Sequence, residues 1–295
     1  MLTFFLSEAK QFCVMDRERI KEAVRKTLSE GKKITVLTGA GISAESGIPT
    51  FRGPDGFWTI GSRNYQPQEI ATFWMFKRRP YDVWSWYLYR IKLCRKAKPN
   101  RGHIAVADME KILGDSFMLI TQNVDGLHLR AGNTLKRTYQ IHGNIFYIRC
   151  SEECSREIYP LPDGIKGKDK GEEITEEEKR LLRCPRCGAI ARPHVLWFDE
   201  SYDEKYFYWD SSLRVARETG LLITVGTSGA TNLPNQILWT VYSEGGTIID
   251  VNIEENPFGR IAKETPFGMF IKEKSSKVLP EIAGIIAEVK NELER

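Results

Sequence analysis

The sequence predicts an α/β fold: a doubly wound parallel sheet with helices on both faces and two inserts. Apolar, β-branched runs alternate with helix-length segments, the pattern of parallel strands joined by helical crossovers. The first run ends in a glycine-rich turn, as a nucleotide-binding sheet requires at its carboxyl edge. Four cysteines fall in two close pairs around a stretch poor in apolar residues, which marks one of the inserts.

Residues 16–31 read as a helix that stops at Gly31, and Ile34-Thr35-Val36-Leu37 reads as the first buried strand. In the turn that follows, Gly39, Gly41 and Ala44 fit the G-x-G-x-x-G/A spacing. There the first glycine permits the turn, the second admits a pyrophosphate to the backbone, and the small third residue allows close helix–strand packing. An ordinary dinucleotide fold would continue with a second strand and a ribose-binding acid about twenty residues on. Asp55 has roughly that offset but stands in Gly-Ile-Pro-Thr-Phe-Arg-Gly-Pro-Asp-Gly, where glycine and proline argue for a loop. A phosphate cradle that runs into a loop bearing an aromatic and a cation, Phe51 and Arg52, points to a cofactor that is covered and consumed.

Residues 66–98 are rich in tryptophan and tyrosine and helical in pattern, with Pro67 and Pro80 placed where helices begin. A helix over about 102–113 leads to the strand Phe117-Met118-Leu119-Ile120. Beyond its carboxyl end lie Gln122, Asn123 and Asp125, where open α/β sheets bind ligands. Residues 155–183 are polar and read as an excursion from the core. Strands over 221–225 and 247–251 follow, and a helix over about 279–293 closes the chain. The expected division is an N-terminal extension over 1–16, with Met15 as an alternative start, and one domain over 17–295. That domain carries a helical insert at about 55–100 and a metal-binding insert at about 146–192.

The net charge of +4 over 295 residues is small, and the basic residues are interspersed with acids, which argues against nucleic-acid binding. No apolar run is long enough to cross a membrane. The N-terminus lacks the basic start of a signal peptide, and Glu8 and Lys10 interrupt its apolar patch. A cytoplasmic monomer is the expectation.

Cys150 and Cys154 are separated by three residues and Cys184 and Cys187 by two, with 29 residues between the pairs. Two such knuckles converge on one tetrahedral zinc, and four thiolates leave no open position, so the zinc is expected to be structural. Its task would be to hold an insert too polar to fold on its own core. Of the four histidines, His142 stands in Tyr-Gln-Ile-His-Gly-Asn beside Gly143 and is favoured as a general base. His103, His128 and His194 compete with it, each equally readable as a hydrogen-bonded core or cap histidine. The chain has no Gly-x-Ser-x-Gly elbow, no His-Glu-x-x-His and no Walker loop, which disfavours those chemistries.

Several of these pieces stand in the order and approximate spacing of one family over about residues 17–285. They are Gly39-Ala40-Gly41-Ile42-Ser43, Gly47-Ile-Pro-Thr-Phe-Arg-Gly53, Pro99-Asn100-x-x-His103, Thr121-Gln122-Asn123-Val124-Asp125, His142-Gly143, the four cysteines, Pro193-His-Val-Leu-Trp-Phe198, Gly226-Thr227-Ser228 and Asn252. Together they resemble the sirtuins, NAD-dependent protein lysine deacylases with a Rossmann-like core. The resemblance implies that NAD lies across the strand ends with its pyrophosphate on Ala40, Gly41 and Ser228. It also implies that Gly39, Ser43, Glu45, Val124, Gly226, Thr227 and Ser275 belong to the cofactor site. Phe51 and Arg52 would form the flexible cofactor loop, Asn252 would reach the adenosine, and Gln122, Asn123 and Asp125 would line the nicotinamide and ribose pocket.

In the implied mechanism the acyl-lysine carbonyl oxygen attacks the anomeric carbon as nicotinamide leaves, giving an alkylimidate. His142, with Asn123 as the second catalytic residue, then takes a proton from a ribose hydroxyl, which attacks the imidate and yields lysine and O-acyl-ADP-ribose. Such a site has to stabilise a cation-like sugar while excluding water, and Phe51 suits that shielding. Residues 195–198, from Val195 to Phe198, resemble the strand on which the acylated substrate peptide pairs.

Tyr87 and Arg90 form Tyr-x-x-Arg, a spacing that puts both on one helix face. A guanidinium fork and a phenol together match a carboxylate. The segment falls where one sirtuin subgroup, which removes succinyl, malonyl and glutaryl groups, carries the same residues, and Ala71 resembles the small residue that widens its acyl pocket. The departures are Asp199 in place of a glycine, the longer Cys150–Cys154 gap and the residues after Gly229. They bear on peptide preference rather than on chemistry. Two rival readings remain: an NAD glycohydrolase or ADP-ribosyltransferase on the same scaffold, and a non-catalytic module that binds NAD and acyl-lysine.

Overall fold

The computed structural model describes residues 2–50 and 66–295, so Phe51, Arg52 and Asp55 lie outside the described residues. The strands are β1 (Lys33–Thr38), β2 (Phe117–Thr121), β3 (Thr138–Gln140), β4 (Gly143–Cys150), β5 (Ile158–Pro160), β6 (Ala191–Val195), β7 (Thr219–Val225), β8 (Thr247–Asn252) and β9 (Met269–Lys272). Six form a sheet in the order β3-β2-β1-β7-β8-β9 with every neighbouring pair parallel. That is the doubly wound order, in which the chain builds outward from β1 and then resumes beside it.

Alternation along the strands explains the two covered faces. Ile34 and Val36, Phe117 and Leu119, and Leu221 and Ile223 point into one core, with the helices Leu2–Ser29, Arg101–Leu113 and Ser275–Leu293. Leu37, Met118, Ile120 and Leu222 point into the other, with the helix Asn232–Ser243. The expected strands are all present. β3 and β9, with three and four residues, are too short to show a period of their own.

The helix Leu2–Ser29 runs without a break through the boundary expected near residue 15, and Gly31 follows it at φ +67. The last helix starts earlier than its apolar pattern, at Ser275, and carries Pro280 inside. Pro67 and Pro80 each open a helix, Pro67–Ile70 and Pro80–Lys96, at positions whose N–H groups have no partner in the helix.

The second sheet is antiparallel, in the order β5-β4-β6. It does not stand apart from the helical insert. Trp84, Tyr87, Leu88, Ile148, Ala191 and Trp197 share one core, and the Trp84 indole N–H donates to the Ala191 carbonyl (2.8 Å). The polar stretch read as an excursion also contributes, through the buried Leu161, Ile165 and Leu182. Few apolar side chains in that stretch sufficed to place it, because Gly167 lets its backbone lie directly on that of Leu88 and Lys92.

The four cysteines close the far end of this module. Their sulfurs lie within 4.8 Å of one another, with Cys150–Cys187 at 3.5 Å and Cys154–Cys184 at 3.6 Å. A tetrahedron with metal–sulfur bonds of about 2.3 Å has edges of about 3.8 Å, so the cluster fits one zinc. Metal analysis is expected to find one zinc per chain. Chelation is expected to strip hydrogen-exchange protection from β4 and β6 while β1, β2 and β7 keep theirs; full protection of β4 in zinc-free protein would contradict this.

Candidate active site

At the centre of the sheet the strand order reverses, and the carboxyl ends of β1 and β7 leave their turns side by side. Gly39 donates its N–H to the Val225 carbonyl and Gly41 to the Gly226 carbonyl, both at 2.9 Å. A Cβ on Gly39 would stand 2.7 Å from the Gly226 oxygen, and one on Gly41 2.6 Å from the Gly226 Cα. The glycines therefore do more than admit a ligand: they let the two turns interlock. Gly226 takes φ +58, which a side chain would strain.

Around the interlocked turns the expected cofactor residues converge. Gln122 donates to Thr227 Oγ1 (2.9 Å) and accepts from Thr231 Oγ1 (3.0 Å), while Asn252 donates to the Thr227 carbonyl (2.9 Å). The ends of β2, β7 and β8 are thereby joined. Ala40 precedes the short helix Gly41–Ala44, and Ser228 is exposed at the tip of the β7 turn. Val124 is buried, and its carbonyl accepts from Ile145, which ties the loop after β2 to β4. Glu45 and Ser275 meet each other: Ser275 Oγ (3.3 Å) and the Ser276 N–H (3.2 Å) both donate to Glu45. The carboxylate so placed faces the first turn of the helix Ser275–Leu293, where negative charge is favoured.

A buried polar network lies beneath. Asn123 donates to the Gly39 carbonyl (3.0 Å) and Ser43 Oγ (3.2 Å), and Ser43 donates to Asp125 (2.7 Å). The other Asp125 oxygen accepts from the Leu127 N–H (2.8 Å). Burial raises the Asp125 pKa, and these hydrogen bonds oppose the rise. His103 Nε2 lies 3.3 Å from Ser43 Oγ, while its Nδ1 accepts from the backbone of Asn100, whose side chain caps the helix Arg101–Leu113. His128 Nε2 lies 3.0 Å from Thr38 Oγ1. His194 packs against both Tyr206 and Phe207. The three competitors are thus core or cap histidines.

His142 is placed differently. It sits between β3 and β4, half-buried, with Nε2 2.6 Å from the Tyr202 hydroxyl. The turn beside it tolerates no side chain, since Gly143 has φ +81 and a Cβ there would lie 2.0 Å from the His194 carbonyl oxygen. Desolvation pushes the His142 pKa down to about 4, with the acceptor character of the Gln122 backbone carbonyl opposing. The imidazole is therefore neutral at pH 7, the state a base requires.

The two side chains of Tyr-x-x-Arg share a helix face, as their spacing predicts, and are buried, at 1% and 4% exposure. Arg90 stacks 4.7 Å from the Trp86 ring and 5.7 Å from that of Tyr87. The Tyr87 hydroxyl accepts from the Trp197 indole (2.9 Å), which places it against the segment that follows β6. Val195 ends β6 opposite Gly143, the Leu196 N–H donates to the His142 carbonyl (3.0 Å), and the Phe198 N–H donates to that of Ala71 (3.1 Å). His142, residues 195–198 and the buried Ala71 are therefore contiguous.

Two further residues fix this segment. Glu200 accepts from both terminal Arg192 nitrogens and from the Trp197 N–H (2.9 Å). Asp199, the departure from glycine, accepts from the N–H groups of Phe73 (2.7 Å) and Trp74 (3.0 Å) at the start of the helix Phe73–Arg78. Its charge is thus spent on a helix N-terminus, which sequence spacing alone did not disclose.

The buried histidines make stability pH-dependent. His103 is pushed to about 4 and His194 to about 3 by burial, and His128 well below its ordinary value. Below pH 6.5 the unfolded chain takes up protons that the folded one refuses, so stability falls from about pH 6.5 toward 4, by up to about 1.4 kcal/mol per pH unit for each histidine. Asp250, pushed up to about 6 by burial, acts in the opposite sense, so His103→Gln is the informative comparison. Urea midpoints of that variant are expected to fall less steeply over this range; an identical slope would contradict the assignment.

Comparison with known proteins agrees with this geometry. Residues 39–232 match the model of the Sir2 family. A protein from Pyrococcus furiosus described as an NAD-dependent protein deacylase is 40% identical over 266 residues, 90% of this chain and 98% of that one. One of the same description from Leptospira interrogans is 38% identical over 264 residues, 89% of this chain and 96% of that one. A solved Sir2 homolog in complex with NAD superposes with a TM-score of 0.73 at 31% identity, covering 92% of this chain and 94% of the other. The chain belongs to the Sir2 family.

Proposed function

We propose that the protein is an NAD-dependent protein lysine deacylase that prefers acyl groups ending in a carboxylate. The observation that carries the first part is the convergence of Gln122, Asn123 and Asp125 with the interlocked glycine turns on one side and a neutral His142 on the other. The relatives' description and the NAD-bound neighbour support it. NAD is the co-substrate, and it supplies the sugar carbon that receives the acyl oxygen. In this reading Asn123 and Asp125 are held rigidly at the floor of the ribose site by Ser43 and Gly39. His142 takes a ribose proton, and the segment after β6 pairs with the acylated peptide.

The acyl preference rests on Arg90 and Tyr87. A guanidinium stacked on Trp86 and Tyr87 inside an apolar wall offers a fork that matches a carboxylate. Burial pushes the Tyr87 pKa to about 12, so the phenol remains a donor at neutral pH.

The test is a comparison of acetyl-, malonyl-, succinyl- and glutaryl-lysine peptides with product analysis. Arg90→Met is expected to lower kcat/KM on succinyl-lysine about 10- to 100-fold more than on acetyl-lysine, the worth of a buried charge-assisted hydrogen bond. Equal losses would refute the carboxylate reading. ADP-ribose in place of O-acyl-ADP-ribose would favour a glycohydrolase.

A further inference from the structure

We infer that Tyr202 is a positioning residue for His142: its hydroxyl lies 2.6 Å from Nε2 and holds the imidazole in its working orientation until a ribose hydroxyl takes its place. The inference rests on the reading of His142 as the base. The two rings are 5.7 Å apart and inclined at 36°, so the hydroxyl rather than ring stacking makes the close contact.

Tyr202 is itself held. Trp209 packs on its ring at 5.7 Å, and the next residue, Asp203, caps the helix Glu204–Phe207 by accepting from the Tyr206 N–H (2.6 Å).

A general base has to present a lone pair to the hydroxyl it deprotonates, and Nε2 is the His142 nitrogen that faces a hydroxyl, that of Tyr202. That leaves Nε2 with the lone pair and makes Tyr202 the donor to it. In turnover the ribose hydroxyl displaces the phenol, its proton passes to Nε2, and its oxygen attacks the imidate carbon. Tyr202 keeps its proton, so no covalent bond to it is made or broken. Sequence offered no sign of this role, since Ser-Tyr-Asp-Glu in a loop has neither a period nor a motif.

The experiment uses the full chain with an acyl-lysine peptide and NAD, and reads two rates. Exchange of labelled nicotinamide into NAD reports the step before the base acts, and formation of O-acyl-ADP-ribose reports the step after it. Tyr202→Phe keeps the ring and is expected to leave exchange within about twofold while product formation falls about fivefold to tenfold, as the loss of one hydrogen bond implies. Product formation that is unchanged or faster would overturn the inference, and so would a parallel fall in both rates. His142→Ala is the control: if it does not separate the two rates in the same sense, the reading of the base fails whatever Tyr202 does. The ¹⁵N resonances of the free protein give a readout without turnover. Wild type should show a hydrogen-bonded Nε2 on His142 that moves toward its unbonded position in Tyr202→Phe; identical resonances would also overturn the inference.

Discussion

Everything at the carboxyl edge of the sheet depends on the contact between two turns. Where the strand order reverses, the turns after β1 and β7 approach so closely that a single Cβ on either glycine of the first would strike the second. The contact sets the distance between β1 and β7 beyond their last hydrogen-bonded residues. It therefore decides where Gln122, Thr227 and Asn252 meet. A sheet could carry the same strands with a looser crossing, but the polar groups at its edge would then have no fixed relation.

Below that edge the protein has buried a polar network without burying free charge. His103 and His128 are kept neutral, and Asp125 is surrounded by donors. A network of this kind is rigid when every member is satisfied and costly when one is not. The design separates two kinds of histidine. Those in the network serve as fixed dipoles, whereas His142 stands half-open, its Nε2 against a hydroxyl that can be exchanged for another.

Much of this was legible in the sequence. Alternation and β-branching located the long strands, the glycine spacing located the switch point, and cysteine spacing located the metal cluster. These signals are local, and local signals survive folding. What was not legible involves partners far apart in the chain. No periodicity indicates that Glu45 meets Ser275 and Ser276, that the indole of Trp197 meets Tyr87, or that the phenol of Tyr202 meets His142. The merging of the helical insert with the cysteine module was hidden for a different reason. The polar segment that joins them places only a few apolar side chains, widely spaced, and relies on backbone contact at Gly167.

Asp199 shows how such a distant partner changes thermodynamics as well as geometry. A glycine there would leave the segment after β6 with many conformations to lose, and part of that loss would fall on the moment a peptide docks. Two amide hydrogen bonds from Phe73 and Trp74 instead order the segment when the chain folds. In the proposed function an incoming peptide would meet a segment already in place, and its affinity would reflect the contacts it makes rather than the disorder it has to remove.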